Sequence, residues 1–393
     1  YSSCMSIEIK AADICSGYCQ SDEIIGFGAL TETDVDFGVG SVSRLADHVK
    51  SLGGKKVLLV TDPGIAEAGH MEWVMWILKN QDIDVLTFTD VRENPTTEDV
   101  SLCANKSKDQ SIDLIIGLGG GSSLDTAKGC NFLLTNGGEM KDYWGSGKAS
   151  QEMLPLIAIP TTAGTGSECQ SYAIIADAET HVKMACGDKK AAAKIAILDP
   201  ELTLTQPSNV TSHTGIDAIS HAIETSVTTK RNDISYQYSK LAFDLLNESF
   251  ESVIKNPKDI EARSKMMLGA AYAGTAIESS MLGAAHAAAN PLTAQFDIIH
   301  GAAVGVMLPH VVQFNSEDSD TKRIYADLFE GDLSGRVIDL LTIAGISREL
   351  SSYGVDKGNV PALTKDALSQ WTGTFNPRTV GEDDFTYLYE SAF

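Results

Sequence analysis

One aspartate and three histidines have side chains that could together hold a metal ion. Asp217 and His221 lie four residues apart in a stretch rich in Ala and Ile, which predicts a helix with both side chains on one face. His286 and His300 supply two further imidazoles from segments that are also rich in Ala and Gly. One carboxylate and three neutral imidazoles suit a divalent first-row metal such as iron(II) or zinc. The alternative for Asp217 and His221 is an ordinary helix-stabilising pair.

A run of three glycines could bind phosphate. Gly119, Gly120 and Gly121 follow an aliphatic stretch and precede Ser122 and an amphipathic segment. Glycine lets the backbone come close to a ligand, and a helix N-terminus offers free N–H groups and a positive dipole. The run matches neither Gly-x-Gly-x-x-Gly nor the Walker pattern. It predicts a phosphate cradle, and the alternative is a tight turn into a helix capped by Ser122.

A second loop, residues 160–168, interleaves hydroxyl side chains with glycines. It contains Thr161, Thr162 and Thr165 and follows a short aliphatic segment. Open parallel sheets bind ligands at the carboxyl ends of their strands, so this loop is a candidate for hydrogen bonds to a nucleotide. The alternative is a plain Ser/Thr/Gly loop.

Strands that alternate with helices must position both loops. Short aliphatic runs between turn signals predict strands at residues 56–61, 84–88, 112–118, 156–159 and 195–200. Residues 172–176 and 182–186 predict a hairpin. The pattern indicates an α/β fold with a doubly wound, mostly parallel sheet of the Rossmann type.

The second half of the chain predicts helices alone. After about residue 206 the strand signals stop, and breaks between helices are expected at Pro257, Pro291, Pro309 and Pro361. We expect three parts: an N-terminal extension or irregular lead-in (1–34), a dinucleotide-binding α/β domain (35–204) and an all-helical metal-binding domain (205–393).

Composition argues against several kinds of partner and location. The 393 residues carry 53 acidic against 30 basic side chains, a net charge of −23, which argues against nucleic acid or an anionic membrane. No apolar run reaches the roughly 18 residues of a membrane span. The seven scattered cysteines favour free thiols in a reducing cytoplasm.

From about Phe37 onward, these motifs in this order resemble the group III, iron-dependent alcohol dehydrogenases of the dehydroquinate-synthase-like fold. The resemblance implies that the glycine run binds the pyrophosphate of NAD(P), with Asp125 in the following helical turn. It places Thr161, Thr162 and Thr165 near the nucleotide. It also places Asn94 near the adenine-side ribose and Lys183 near the nicotinamide ribose.

The same resemblance implies a metal site and a reaction. The family's one aspartate and three histidines fall on Asp217, His221, His286 and His300. The expected metal is Fe(2+), with Zn(2+) or another divalent ion as alternatives. The ion acts as a Lewis acid on the oxygen of a small primary alcohol, or of its aldehyde, while hydride passes between that carbon and the nicotinamide. Members of the family are commonly dimers or larger, so a homo-oligomer is expected.

Two positions refine this expectation. Asn290 stands where many members carry a proton-relay histidine, and an amide does not titrate near neutral pH. No catalytic side chain is therefore assigned there. Asp62 ends a predicted strand, where a carboxylate accepts hydrogen bonds from both ribose hydroxyls and repels a 2′-phosphate. This favours NAD over NADP.

Other functions remain open on the sequence alone. The alternatives are a hydroxyacid–oxoacid transhydrogenase, a zinc polyol dehydrogenase or a carbocyclic phosphate synthase on the same fold. A metal-stabilised scaffold without turnover is the non-enzymatic alternative. His221 argues against the polyol dehydrogenase and the synthase, whose sites usually have one histidine fewer or a different spacing.

Overall fold

The first half of the chain builds two β-sheets. The structure, a computed structural model, describes Phe27 and residues 30–393, so most of the predicted lead-in lies outside the described residues. The strands are β1 (Asp34–Phe37), β2 (Lys56–Thr61), β3 (Asp84–Phe88), β4 (Leu114–Gly119), β5 (Gly145–Ser146), β6 (Leu156–Pro160), β7 (Tyr172–Ala176), β8 (Lys183–Gly187) and β9 (Ile195–Leu198). The larger sheet has the order β1-β9-β6-β4-β2-β3 and is parallel throughout. The smaller sheet has the order β5-β8-β7 and contains the predicted hairpin as an antiparallel pair.

Helices cover both faces of the larger sheet, which explains its continuous aliphatic strands. The helices of this half are α1 (Leu45–Ser51), α2 (Pro63–Glu67), α3 (His70–Lys79), α4 (Thr97–Ser107) and α5 (Gly121–Asn136). In β2, Val57 and Leu59 join an apolar cluster with side chains of α1 and α3. Leu58 and Val60 point the other way and join a cluster with side chains of α4 and α5. All four side chains are fully buried.

The second half of the described chain is helical. Its helices are α6 (Ser208–Thr225), α7 (Asp233–Lys255), α8 (Ile260–Ser280), α9 (Ala284–Phe296), α10 (His300–Asn315), α11 (Ser319–Leu328), α12 (Leu333–Ala344), α13 (Val360–Leu368) and α14 (Glu382–Glu390). None of the described helices is both long enough and apolar enough to cross a membrane.

The prediction of a helix break at every proline is wrong at two positions. Pro257 lies between α7 and α8, and Pro361 lies in the first turn of α13, where its missing N–H costs nothing. Pro291 and Pro309, however, lie inside α9 and α10. Both are buried in helices whose apolar surroundings hold the chain in place, and this burial outweighs the loss of one backbone hydrogen bond.

The chain separates into two compact units. One unit runs to Thr162 and resumes over Gly166–Gln206, and it contains the strands. The other comprises Ala163–Thr165 and Pro207–Phe393, and it contains α6 to α14. The short segment Ala163–Thr165 therefore belongs with the helices although its neighbours in sequence belong with the sheet.

Candidate functional site

In the α/β unit, the ends of three neighbouring strands bring two predicted loops together. Thr61 pairs with Leu118 across β2 and β4, and Gly119 pairs with Pro160 across β4 and β6. The loops that follow these strands therefore start at one edge of the sheet. The Thr161 N–H donates to the Gly119 carbonyl at 3.0 Å, which ties the hydroxyl loop to the glycine run.

The glycine run leaves an open helix N-terminus. Gly119 has a φ of 144°, and a Cβ added there would lie 2.6 Å from Ser123 Oγ, so only glycine fits. Helix α5 begins at Gly121 with Gly120 as its N-cap, and no side chain caps it. The alternative of a turn capped by Ser122 is therefore wrong. Backbone N–H groups without a capping side chain are suited to an anion such as pyrophosphate.

Asp62 stands beside the glycine run. Its Oδ1 accepts from the Ile65 N–H at 3.0 Å and so caps α2. Its Oδ2 accepts from Ser123 Oγ at 3.3 Å, in the first turn of α5. The carboxylate thus has a structural task besides any contact with a ribose.

Asn94 and Lys183 lie on neighbouring segments. Asn94 has a φ of 51° and precedes Pro95, whose carbonyl accepts from the Ala176 N–H at 2.9 Å. Ala176 is in turn paired with Lys183 at the start of β8. The structure therefore brings these two predicted cofactor residues to one region of the α/β unit.

Asp125 faces an internal polar network. Its Oδ1 accepts from Ser167 Oγ at 2.7 Å. Lys128 is fully buried, and its Nζ donates to the Ser167 carbonyl at 2.6 Å, to Ser167 Oγ at 2.8 Å and to the Tyr172 carbonyl at 3.0 Å. Burial raises the pKa of Asp125, and Lys128 is the strongest opposing influence. Lys128 was not predicted from the sequence, although its position three residues after Asp125 was an available signal.

The predicted hydroxyl loop is divided between the units. Thr161 and Thr162 belong to the α/β unit, and a Cβ at Gly120 would lie 3.3 Å from Thr162 Cγ2. Thr165 belongs to the helical unit. There its neighbour Gly164 packs so closely that an added Cβ would lie 2.6 Å from Thr214 Cβ.

In the helical unit, three helices carry the predicted metal ligands. Asp217 and His221 lie in α6, His286 lies in the first turn of α9, and His300 opens α10. A Cβ at Gly301 would lie 2.1 Å from the carbonyl oxygen of His213, so α10 begins in backbone contact with α6. Glycine at this position permits the close approach that brings His300 to the others.

The four side chains converge on one carboxylate oxygen, and we call them the Asp–His cluster. Asp217 Oδ1 lies 3.2 Å from His221 Nε2, 3.4 Å from His286 Nε2 and 3.5 Å from His300 Nε2. Asp217, His221 and His286 are each 4% exposed. Burial acts to raise the pKa of Asp217, but the neighbouring imidazoles of His221 and His300 hold this pKa well below its usual range.

These atoms suit a metal ion. A four-coordinate ion with ligand bonds of about 2.0–2.1 Å spaces tetrahedral ligand atoms about 3.4 Å apart, close to the distances from Asp217 Oδ1. Within the described part of the chain, Asp217 Oδ1 and His286 Nε2 are buried and have no hydrogen-bond partner. A buried polar atom without a partner is costly, and a cation would satisfy both. Ligand atoms of Asp217, His221 and His286 all lie within 4.8 Å of one another, and His300 lies outside this compact group although its Nε2 is 3.5 Å from Asp217 Oδ1. The donor set fits a divalent first-row metal.

A further acid contacts the cluster and was missed from the sequence. Glu224 is 4% exposed, and its Oε2 lies 2.5 Å from His286 Nδ1. Burial opposes protonation of His286, but Glu224 and Asp217 raise the pKa of this imidazole to about 9. The available signal was helical spacing, because Glu224 follows Asp217 by seven residues and His221 by three on the same face of α6.

Asn290 lies one helical turn after His286 in α9. Its Nδ2 donates to Gln370 Oε1 at 3.0 Å. The side chain is partly buried and already engaged, so it can hydrogen-bond in the site but cannot accept a proton.

Comparison with known proteins identifies the family. The family model described as iron-containing alcohol dehydrogenase matches residues 32–200, and the C-terminal model of the Fe-containing alcohol dehydrogenase family matches residues 211–393. The chain belongs to the iron-containing alcohol dehydrogenase family. This membership confirms the predicted family and enzyme class, an oxidoreductase, and excludes the non-enzymatic scaffold. The predicted fold class is confirmed by the parallel six-stranded sheet and by superposition on the crystal structure of an iron containing alcohol dehydrogenase, with a TM-score of 0.83 at 28% identity.

Individual relatives agree with this family. Alcohol dehydrogenase 4 of Schizosaccharomyces pombe is 35% identical over 366 residues, which cover 91% of this chain and 86% of the relative. The NAD-dependent methanol dehydrogenase of Bacillus methanolicus is 32% identical over 369 residues, which cover 90% of this chain and 97% of the relative. The crystal structure of sulfoacetaldehyde reductase from Bifidobacterium kashiwanohense in complex with NAD+ superposes with a TM-score of 0.84 at 25% identity, covering 92% of this chain and 97% of that one.

Proposed function

We propose that this chain transfers hydride between a small primary alcohol and NAD, with a divalent iron ion held by Asp217, His221, His286 and His300. The observation that carries the proposal is the convergence of three imidazole Nε2 atoms on one buried carboxylate oxygen, at 3.2, 3.4 and 3.5 Å. Zinc fits the same donors and is the alternative metal.

The protein's own groups have distinct tasks in this reaction. When bound, the iron ion supplies Lewis acidity toward the alcohol oxygen, and NAD supplies the hydride acceptor. A single carboxylate, Asp217, among three neutral imidazoles leaves much of the ion's positive charge uncompensated, as Lewis acidity requires. The buried positions of Asp217, His221 and His286 exclude water and strengthen that field.

The α/β unit binds the cofactor in this proposal. The N–H groups at the start of α5 receive the pyrophosphate, and Asp62 accepts from the ribose hydroxyls of the adenosine. The proposed cofactor residues of this unit are Asp62, Asn94, Gly119, Gly120, Gly121, Ser122, Asp125, Thr161, Thr162 and Lys183. Thr165, which belongs to the helical unit, is proposed as a cofactor residue as well. The NAD+ complex of sulfoacetaldehyde reductase and the name of the Bacillus methanolicus enzyme support NAD as the cofactor.

The names of several relatives support a substrate class. Similar proteins are named for methanol, 1,3-propanediol and sulfoacetaldehyde, each a small primary alcohol or an aldehyde. We therefore propose a small primary alcohol, or the matching aldehyde, as substrate. A cytoplasmic location and a homo-oligomeric state remain predictions, and size-exclusion chromatography with light scattering tests the second.

The test is turnover by protein loaded anaerobically with iron(II). The loaded protein receives NAD and a panel of small primary alcohols, and NADH is followed by absorbance. Asp217→Ala should lose activity by more than about a hundredfold, because one metal ligand is gone. His213→Ala is the matched control, since His213 lies in the same helix and its Nδ1 contacts only the Asn209 carbonyl, at 2.5 Å, among the contacts described.

The outcomes separate the alternatives. Full activity of Asp217→Ala would contradict the assignment of the Asp–His cluster. A parent protein that holds metal yet reduces no NAD with any alcohol would favour the transhydrogenase. That activity is then measured with a hydroxyacid and an oxoacid in the absence of added NAD.

A further inference from the structure

We propose that Glu224 is a positioning residue of the metal centre, which fixes the tautomer and orientation of His286 so that Nε2 is free to bind the ion. The inference rests on the proposed function, because it requires the Asp–His cluster to hold metal. It concerns a residue that touches neither the ion nor the substrate.

Two hydrogen bonds to one carboxylate carry the argument. Glu224 Oε1 accepts from the Ala285 N–H at 2.7 Å, and Oε2 lies 2.5 Å from His286 Nδ1. The backbone N–H can only donate, and an ionised carboxylate can only accept. Nδ1 therefore carries a proton, and an imidazole that binds an ion must then offer its lone pair at Nε2. That atom lies 3.4 Å from Asp217 Oδ1, inside the cluster.

The surrounding structure holds Glu224 in place. Helix α9 has no capping side chain of its own at Gly283, and its first N–H groups are satisfied from elsewhere. The Ala284 N–H donates to Asn376 Oδ1 at 3.2 Å, beside the bond from Ala285 to Glu224. A Cβ at Gly283 would lie 3.1 Å from Glu224 Oε1, so the chain passes closely over the carboxylate. Glu224 thus contacts both the first turn of α9, through the Ala285 N–H, and the ring of His286.

Glu224→Gln is the decisive substitution because it keeps the shape and changes the hydrogen bonding. A glutamine offers one acceptor oxygen and one NH2 group to two partners that both donate. If the oxygen serves Ala285, the NH2 faces His286 Nδ1 and forces the ring proton to Nε2. The ligand lone pair then points away from the cluster. Loss of such a second partner typically weakens metal binding by about 10–100-fold.

The experiment measures Co2+ binding to metal-free protein. The dissociation constant is obtained by competition with a chromophoric chelator, and the visible absorption of the saturated protein reports the ligand set. We expect Glu224→Gln to raise the Kd for Co2+ by about 10–100-fold and to change the visible spectrum. Asn376→Ala is the control, because it removes the neighbouring bond to the same helix end without touching His286. It also removes the bonds of Asn376 to Asn315 and to the Arg378 carbonyl, so it is the stronger disturbance of this helix end. It should lower the thermal midpoint and leave the Kd and spectrum of the parent.

The outcomes distinguish this inference from the proposed function. A parent protein that binds no Co2+ overturns both. A parent that binds Co2+ while Glu224→Gln binds it equally well, with the same spectrum, overturns the role of Glu224 alone. If Asn376→Ala weakens binding as strongly as Glu224→Gln, the effect belongs to the helix end and the tautomer argument is overturned.

A second variant, Glu224→Asp, tests the inference if Glu224→Gln does not fold. Glu224→Asp keeps an acceptor-only carboxylate but shortens its reach by one methylene. It should fold and bind Co2+ more weakly than the parent, with a visible spectrum closer to the parent's than that of Glu224→Gln. If Glu224→Gln does not fold, parent-like affinity of Glu224→Asp overturns the inference, and weakened affinity supports it.

Discussion

Ser123 Oγ donates a 3.3 Å hydrogen bond to Asp62 Oδ2, which joins the residue after β2 to the first turn of α5. The carboxylate is therefore held beside the open helix N-terminus rather than left to rotate freely. A nucleotide whose pyrophosphate rests on α5 would meet a fixed negative charge at this edge of the sheet.

Asp62→Asn should relax the choice of cofactor. The amide oxygen can still accept from the Ile65 N–H, so the cap on α2 and the stability should change little. The negative charge that repels a 2′-phosphate is removed. We expect the ratio of kcat/KM for NAD over NADP to fall by at least about tenfold, or 1.4 kcal/mol. Steady-state kinetics with both cofactors measure it.

Thermal unfolding provides the control for that substitution. A parent-like midpoint for Asp62→Asn shows that a change in cofactor choice does not come from a loss of stability. Equal use of NAD and NADP by the parent enzyme would show that Asp62 does not select the cofactor.

Gly301→Ala should disturb the metal centre through the backbone. The new Cβ would lie 2.1 Å from the His213 carbonyl oxygen, so α10 must move away from α6 and carry His300 with it. We expect a loss of about 3 kcal/mol or more in the free energy of unfolding. Metal affinity should fall as well. Denaturant titration and chelator competition measure the two effects.

Gly305→Ala is the matched control one turn along α10. Its Cβ would lie 2.6 Å from Leu341 Cδ2 and 3.1 Å from Ile216 Cγ2, so it meets side chains and not backbone. Side-chain ends shift more readily than a backbone carbonyl, and alanine favours the helix, so the loss in the free energy of unfolding should be smaller than at position 301. Equal losses in the free energy of unfolding for Gly301→Ala and Gly305→Ala would show that backbone contact with α6 does not restrict residue 301.

Glu168 should make the stability of the protein depend on pH. The side chain is 3% exposed, and burial raises its pKa from 4.5 to about 7, with its own backbone N–H and Lys128 as weaker opposing influences. Between these values the folded chain keeps a proton that the unfolded chain has released. The free energy of unfolding therefore falls as pH rises from about 4.5 to 7, by up to roughly 3 kcal/mol.

Glu168→Gln removes this contribution, since the amide does not titrate. The thermal midpoint of the variant should fall less than that of the parent as the pH rises from about 5 to 8. Glu152→Gln, at an exposed position of the same unit, should follow the parent. Parallel midpoint curves for the parent and Glu168→Gln would mean that Glu168 ionises normally.

Local patterns were enough to predict five of the six strands of the larger sheet, all but the edge strand β1. Because both faces of β2 are covered, its six residues form one aliphatic run, and the predicted bounds 56–61 agree with Lys56–Thr61. The predicted strand at 112–118 lies at Leu114–Gly119, since the sequence does not show where pairing with the next strand begins. Helix ends at Pro291 and Pro309 were predicted wrongly because packing decides there.

The site was predictable as a set of residue types but not as a set of contacts. Spacing suggested that Asp217 and His221 share a helical face, and the structure adds that His286 and His300 reach the same oxygen. Glu224 follows in the same helix, but its bond to His286 joins residues 62 positions apart. Such a contact depends on how α6 and α9 pack, which periodicity alone does not determine.

Asn290→His should add a titrating group to the reaction. Position 290 lies one turn after His286 in α9, and its present amide donates to Gln370 Oε1 at 3.0 Å. An imidazole there could accept the proton released during alcohol oxidation, with an ordinary pKa of about 6.5. We expect kcat of the variant to fall toward acid below that value, with an inflection that the parent lacks. Asn290→Gln, which keeps a non-titrating amide, should show the parent's profile, and identical profiles for all three proteins would mean that proton transfer does not pass through position 290.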